Sequence, residues 1–371
     1  MISSRTDTSG RGPTLADLAD SLIADGPAPA APESTAPPPG AVVACWTQAQ
    51  GLRIGAAGVR NPAGDPMDVT TVFDLASVTK LFTTAAVMRL VHEGLVDLDV
   101  PVDGWLDLDD PVPTLRQLLR HRSGLLPWQP FYLRGDRSVA ERLRGLPRIA
   151  EPDVQYSYSD LGFILIGAVI GAVTGSGLSA AMNDLVLAPL GLRASYGPRE
   201  GDVATSAYDD GAERRMVETG EPYAIGLDGP FDDWRTAPIT GEVNDGNTHH
   251  ALAGVSGHAG MFGQVSDLIL LGRALGRTDH GLWSAAVLDE FTTAGPDPQQ
   301  GLGFRLRELP DGRRLSWHPG FTGCALGFTA GPASTVVAMA TNRLLTRGRP
   351  TPTARLWERV LAGTGLIEEY R

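Results

Sequence analysis

The sequence is poor in cysteine, in lysine and in long apolar runs, and each shortage excludes something. Two cysteines, Cys45 and Cys324, in 371 residues cannot make a disulfide framework. Isolated thiols in a chain of this size are expected to be buried and reduced rather than paired. A spanning helix needs about 18 uninterrupted apolar residues. The best stretch, Leu161 to Val173, is short and punctuated by glycine, so no membrane is expected as a partner. The N-terminus, MISSRTDTSGRGPT, lacks the apolar segment of a secretory leader, which predicts a cytoplasmic protein. Basic residues are outnumbered, with 31 Lys+Arg against 43 Asp+Glu and a formal charge of -12. Such a surface repels phosphate backbones and argues against nucleic acid. The densest basic stretch, Arg134 to Arg148, is diluted by Asp136 and Glu141.

Hydrophobic residues make up 42 % of the chain and charged residues 20 %, the proportions of a globular protein with a sizeable core. Thr14 to Asp25 reads as an amphipathic helix, with Thr14 and Asp17 spaced as a capping box and Leu15, Leu18 and Leu22 on one face. A Pro/Ala-rich connector follows, too poor in core residues to fold alone. Ala41 to Thr47 and Leu52 to Val59 read as strands, and so do Arg314 to Trp317, Ala325 to Thr329 and Thr335 to Ala340. Helices are predicted from Ser77 to about Glu93, over Leu115 to His121, over Leu161 to Val173, and from Thr353 to Leu361. Residues 198–247 lack clear periodicity and read as a long active-site loop or lid.

Strands near both ends and helices between them predict an α+β fold. Its central antiparallel sheet would be built from both termini and flanked by terminal helices, with a mainly helical region inserted. The expected organisation is a helix and connector over 1–40, a sheet region over 41–72 and 300–371, and a helical region over 73–299, all one catalytic unit.

The strongest chemical signal is Ser77-Val78-Thr79-Lys80. Positions i and i+3 share a helix face, so the hydroxyl and the amine can meet. A serine hydroxyl is a poor nucleophile without a base in reach. Burial, or a second cation nearby, would lower the lysine pKa and let the amine accept that proton. A helix N-terminus also aims backbone N–H groups at the place where an oxyanion would form.

The runs DLASVTKLFTT…LVHEGLVDLD, LRQLLRHRSGLL and YSYSDLGFILIG closely resemble the β-lactamase-related serine hydrolases. That family includes class C β-lactamases, D,D-peptidases, family VIII carboxylesterases and acyltransferases. The resemblance extends from Ala41 to Val360 and takes in Gly254–Phe262, Gly301–Phe304 and Ser334–Arg343. It implies a β-lactamase/transpeptidase-like fold, with Ser77 as nucleophile, Lys80 as base and Tyr158 as proton shuttle. It also implies that His318-Pro319-Gly320 forms the opposite wall, and that the Ser77 and Phe321 N–H groups make the oxyanion hole. Asp160, His318, Gly320 and Trp128 are the candidate substrate-binding residues.

Three departures stand out. Asp160 occupies the usual asparagine position and exchanges an amide donor for an acceptor. Pro319 removes a hydroxyl and an N–H from the wall. Asn244 stands where related sequences carry histidine. These changes bear on β-lactam recognition more than on the Ser/Lys/Tyr core.

His249, His250 and His258 invite a metal reading. Adjacent histidines on a strand point apart, and no Cys or carboxylate spacing completes a zinc site. No metal or organic cofactor is expected, and His258 reads as a packed residue ordering a loop beside the site. The expected function is acyl transfer from a small-molecule ester or amide through Ser77, to water or to an alcohol or amine acceptor. The Pro/Ala/Gly-rich, Lys-poor composition fits a high-GC bacterium, which makes natural-product biosynthesis an expected setting. The alternatives are a β-lactamase or D,D-peptidase activity, or an inactive binding protein on the same fold. Oligomeric state is not readable from the sequence.

Overall fold

The computed structural model describes residues 14–24, 35–133, 138–223 and 231–368. The extreme N-terminus, most of the Pro/Ala connector and the start of the Arg134–Arg148 stretch lie outside them.

Six antiparallel strands form the main sheet, in the order Gly51–Gly58, Gly40–Thr47, Thr335–Thr341, Ala325–Thr329, Arg314–Pro319 and Arg305–Glu308. The two chain ends meet at its centre, where Ala41 pairs with Thr341 and Thr47 with Thr335. Side chains alternate across a strand. Val42, Ala44, Val336 and Ala338 therefore enter one core, and Ala41, Val43, Val337 and Met339 the other. Helices Leu15–Ile23 and Thr353–Gly363 close the outer face with Leu15, Ala19, Leu22, Trp357 and Val360. The first of them carries the Thr14–Asp17 capping box. On the inner face lies helix Val265–Leu275, and beyond it the helical layer.

Most segments form as their patterns predict, with boundaries moved by a residue or two. Two differ in kind. Within 198–247 the chain forms strands Thr205–Ala207 and Ile239–Thr240 and a helix, Gly211–Thr219. That helix is short and polar overall and buries only Val217, so it does not stand out from the surrounding loop in the sequence. Arg305–Glu308 is an edge strand with a single buried side chain, Leu306, and shows no alternation long enough to read. The adjacent His249 and His250 lie on a helical turn, Asn247–Ala251, rather than a strand.

Among the described residues no single helix is long and apolar enough to cross a membrane. Asp160–Thr174, the most apolar, is buried in the larger core, as is Thr79–His92. Both are apolar nearly all round because protein surrounds them. Cys45 and Cys324 are buried free thiols.

Candidate active site

The chain enters the site from a short strand, Phe73–Asp74, paired with Met261–Gly263. The Asp74 carboxylate accepts the N–H of Ala76 at 2.8 Å and that of Asn244 at 2.6 Å. It thereby ties down Ala76, whose φ of 45° is unusual for a residue with a side chain. Burial pushes this carboxyl up to about 6. A 3-10 turn, Ala76–Val78, then runs into helix Thr79–His92. Ser77 therefore sits in the opening turn, where backbone N–H groups lack acceptors within the helix.

The i to i+3 spacing does what helix geometry predicts, and Lys80 Nζ lies 2.9 Å from Ser77 Oγ. The Lys80 side chain is fully buried, and its remaining contacts are Asp160 Oδ1 at 2.6 Å and the His258 carbonyl at 3.4 Å. Asp160 opens helix Asp160–Thr174 and is held there by its own N–H, which donates to the Pro127 carbonyl. Burial works against the charge on Lys80, but the carboxylate of Asp160, with Tyr158, outweighs it and holds the amine above its ordinary value. This differs from the sequence expectation of a neutral amine made by burial. The physical reason is the carboxylate at Asp160, which the sequence reading assigned to substrate.

Tyr158 lies beside Ser77 and Lys80, and its ring centroid is 5.0 Å from the amine. Burial raises the phenol above its usual value against the pull of Lys80. His121 packs on the Tyr158 ring at 4.6 Å, and His318 lies at 5.8 Å. Burial, reinforced by Lys80 and Arg305, keeps both imidazoles far below the usual histidine value. His121 Nδ1 accepts the Ser159 N–H, while His318 Nδ1 donates to the Pro319 carbonyl. His318 Nε2 is therefore an acceptor, and no partner meets it among the described residues.

A cavity of about 510 Å³ opens over Ser77. It is lined by Tyr158, Asp160, Trp128, Gly320 and Phe321, and by Arg305, Glu213, Asp245 and Arg343. A Cβ at Gly320 would lie 2.6 Å from the Leu75 carbonyl, so only glycine lets this wall approach the nucleophile turn. Thr322 Oγ1 donates to the Asp74 carbonyl at 2.8 Å and fastens the same loop. Arg343 Nε donates to the Phe321 carbonyl at 2.9 Å, while the Phe321 N–H meets no acceptor among the described residues.

The three histidines take different partners, although the His249 and His250 rings stay in edge contact at 4.6 Å. His258 bridges Asp245 at 3.0 Å and Ser256 at 2.7 Å, His250 faces Asp210, and His249 faces Glu242. His318 lies behind the site, beside Tyr158 but not among the cavity-lining residues.

The sequence reading missed Arg305, His121, Asp74 and Glu213. Arg305 lies on the unread edge strand, His121 and Glu213 join the site only through tertiary packing, and Asp74 is local to Ser77 but shows its role only through its contacts. One unused signal was available. Of the 31 basic residues, Lys80 is the only lysine. A chain that uses arginine everywhere else keeps its one amine beside Ser77, and an amine changes protonation far more readily than a guanidinium.

Comparison with known proteins agrees with this arrangement of sheet and helical layer. The family model described as Beta-lactamase matches residues 32–361. The chain is 31 % identical over 293 residues to Esterase EstB of Burkholderia gladioli, covering 71 % of this chain and 69 % of that protein. It is 30 % identical over 278 residues to N-acetylmuramyl-L-alanine amidase of Bacillus subtilis (strain 168), covering 68 % of this chain. That match spans 61 % of the relative, less than two thirds of its length. Among solved structures, the D-amino acid amidase of Ochrobactrum anthropi SV3 superposes with a TM-score of 0.69. Its identity is 21 % over 94 % of this chain and 98 % of that one, a likeness of fold. The chain therefore belongs to the beta-lactamase family of serine hydrolases, which includes esterases and amidases.

Proposed function

We propose that this chain hydrolyses, or transfers the acyl group of, a small-molecule ester or amide through an acyl-enzyme on Ser77. The observation that carries the reading is a serine hydroxyl 2.9 Å from a buried amine, with the Tyr158 ring 5.0 Å from that amine, at a cavity of about 510 Å³. A volume of that order suits a small substrate.

Ser77 Oγ attacks the carbonyl carbon as its proton passes to Lys80. The oxyanion is held by the N–H groups of Ser77 and Phe321, and Tyr158 carries a proton to the leaving group. Trp128 lines the cavity as an apolar wall for the acyl chain, and neutral His318 lies behind the Tyr158 phenol. Water, an alcohol or an amine then releases the acyl group. Such a transfer fits a place in small-molecule biosynthesis as well as in ester degradation, inside the cell.

Arg305 favours a second reading. It lines the cavity and stacks over Tyr158 at 5.5 Å, with no carboxylate paired to it among the described residues. A substrate with a free carboxylate beside the scissile amide would supply that partner, as in a D,D-peptidase-type reaction.

A fluorophosphonate probe tests the common core. Wild type should be labelled and Ser77→Ala should not, with p-nitrophenyl ester turnover falling at least about 10³-fold in the variant. Equal labelling of the two proteins would refute the reading. Mass spectrometry of products formed with and without amine or alcohol acceptors separates hydrolysis from transfer.

A further inference from the structure

The amide-to-carboxylate exchange at position 160 places a full negative charge directly on the serine's base. We propose that Asp160 is the positioning residue that sets the protonation state of that base. Its carboxylate holds Lys80 as an ammonium in the resting site, and that ammonium must lose a proton to solvent before Ser77 attacks. Acyl transfer by this chain is thereby favoured at alkaline pH. The inference rests on Ser77 and Lys80 acting as nucleophile and base.

The contacts serve both states of the amine. As an ammonium, Lys80 has three hydrogens for three acceptors: Asp160 Oδ1, Ser77 Oγ and the His258 carbonyl. As a neutral amine it keeps two of those bonds, to Asp160 and the carbonyl, and accepts from the Ser77 hydroxyl. Hydrogen-bond count therefore does not choose between the states; charge does.

The neighbours from every packed element are in view. The segment ahead of helix Asp160–Thr174 brings Tyr158, with Tyr156 farther off. The turn after helix Leu115–Leu119 brings neutral His121, strand Arg314–Pro319 neutral His318, and strand Arg305–Glu308 the Arg305 cation. The loop of residues 254–260 presents a carbonyl, with the His258–Asp245 pair behind it. Asp74 is engaged by Ala76 and Asn244, and Tyr223 lies across the cavity. Asp160 is the only carboxylate paired with Lys80 among the described residues. It also opens a helix of 15 residues.

The step balances. Lys80, its extra proton lost to solvent, takes the proton released from Ser77 Oγ. The Oγ–carbon bond forms, and the carbonyl π pair moves to its oxygen. On collapse, Lys80 passes that proton through Tyr158 to the departing atom and is a neutral amine again.

Because Lys80 is the only lysine, protein grown on lysine labelled with ¹³C at the ε-carbon shows its titration as a single signal. In wild type the signal should remain that of an ammonium through pH 10. In Asp160→Asn the midpoint should fall by one to three pH units, the range for removing an adjacent opposite charge. The acid limb of kcat/KM and of fluorophosphonate labelling should move with it, while Asp160→Glu keeps the wild-type limb. Coincident limbs in wild type and Asp160→Asn, or a folded Asp160→Asn inactive at every pH, would overturn the proposal. If Asp160→Asn fails to fold, the wild-type titration still decides, because a midpoint below the free-lysine value of about 10.4 overturns it. Labelling that persists in Ser77→Ala defeats the underlying reading. Labelling lost there with an unmoved limb defeats this inference alone.

Discussion

Glu213 shows how far a side chain's chemistry departs from its letter. It lines the cavity, accepts from the Tyr132 hydroxyl and the Gly246 N–H at 2.7 Å each, and is half-buried. Burial, with Asp245 and Asp210 close by, pushes its carboxyl up to about 8 from an ordinary 4.5. A carboxyl raised on folding takes up a proton as the chain folds. Between those two values wild-type stability therefore falls as pH rises. Glutamine is isosteric with the protonated acid and does not titrate. Urea unfolding from pH 5 to 9 should thus show Glu213→Gln gaining on wild type by up to about 1.4 kcal/mol per unit. The gain should level off above pH 8, whereas a constant gap would show that Glu213 does not titrate in this window. No pattern in the sequence separates Glu213 from the solvated acids of its helix, since its partners, Tyr132 and Gly246, are distant in the chain. Ser77 and Lys80 differ, because one helical turn makes that pair and three letters' spacing reveals it.

Two buried helices and one loop assemble the reacting groups. Lys80 and Asp160 come from the first turns of Thr79–His92 and Asp160–Thr174. The loop carrying His258 can reach Lys80 only because glycines meet where it crosses the second helix. A Cβ on Gly257 would stand 2.2 Å from the Phe163 carbonyl, and one on Gly167 would stand 2.8 Å from the Gly257 nitrogen. Gly257→Ala must push the loop off the helix, at a cost of about 1–3 kcal/mol. It should also move the His258 carbonyl from the amine. Thermal unfolding and ester turnover should fall together, and a variant with wild-type kcat/KM would refute the coupling. Helix Thr79–His92 is legible because it is long and apolar. Helix Gly211–Thr219 is not, because it is short and polar overall, with one buried side chain.

The molecule has two cores on opposite faces of one sheet, and only the inner one touches the chemistry. Leu22, fully buried in the outer core, lies beneath the helix contributed by the far end of the chain. Leu22→Ala should cost about 2–5 kcal/mol in chemical denaturation while leaving kcat/KM at its wild-type value. A loss of turnover in the folded variant would mean that the sheet transmits strain between its faces. Local patterns were enough for the α+β class, for the pairing of both chain ends in a single sheet, for the Ser77–Lys80 contact and for the family resemblance. Each depends on residues a few positions apart, or on apolar periods that burial enforces. Packing across long sequence separations settled the rest: the charge on Lys80, the His121–Tyr158 and Asp74–Asn244 contacts, the place of Arg305 and the separate partners of the three histidines. Electrostatic fields and enclosure depend on distance in space, and the order of the chain does not encode it.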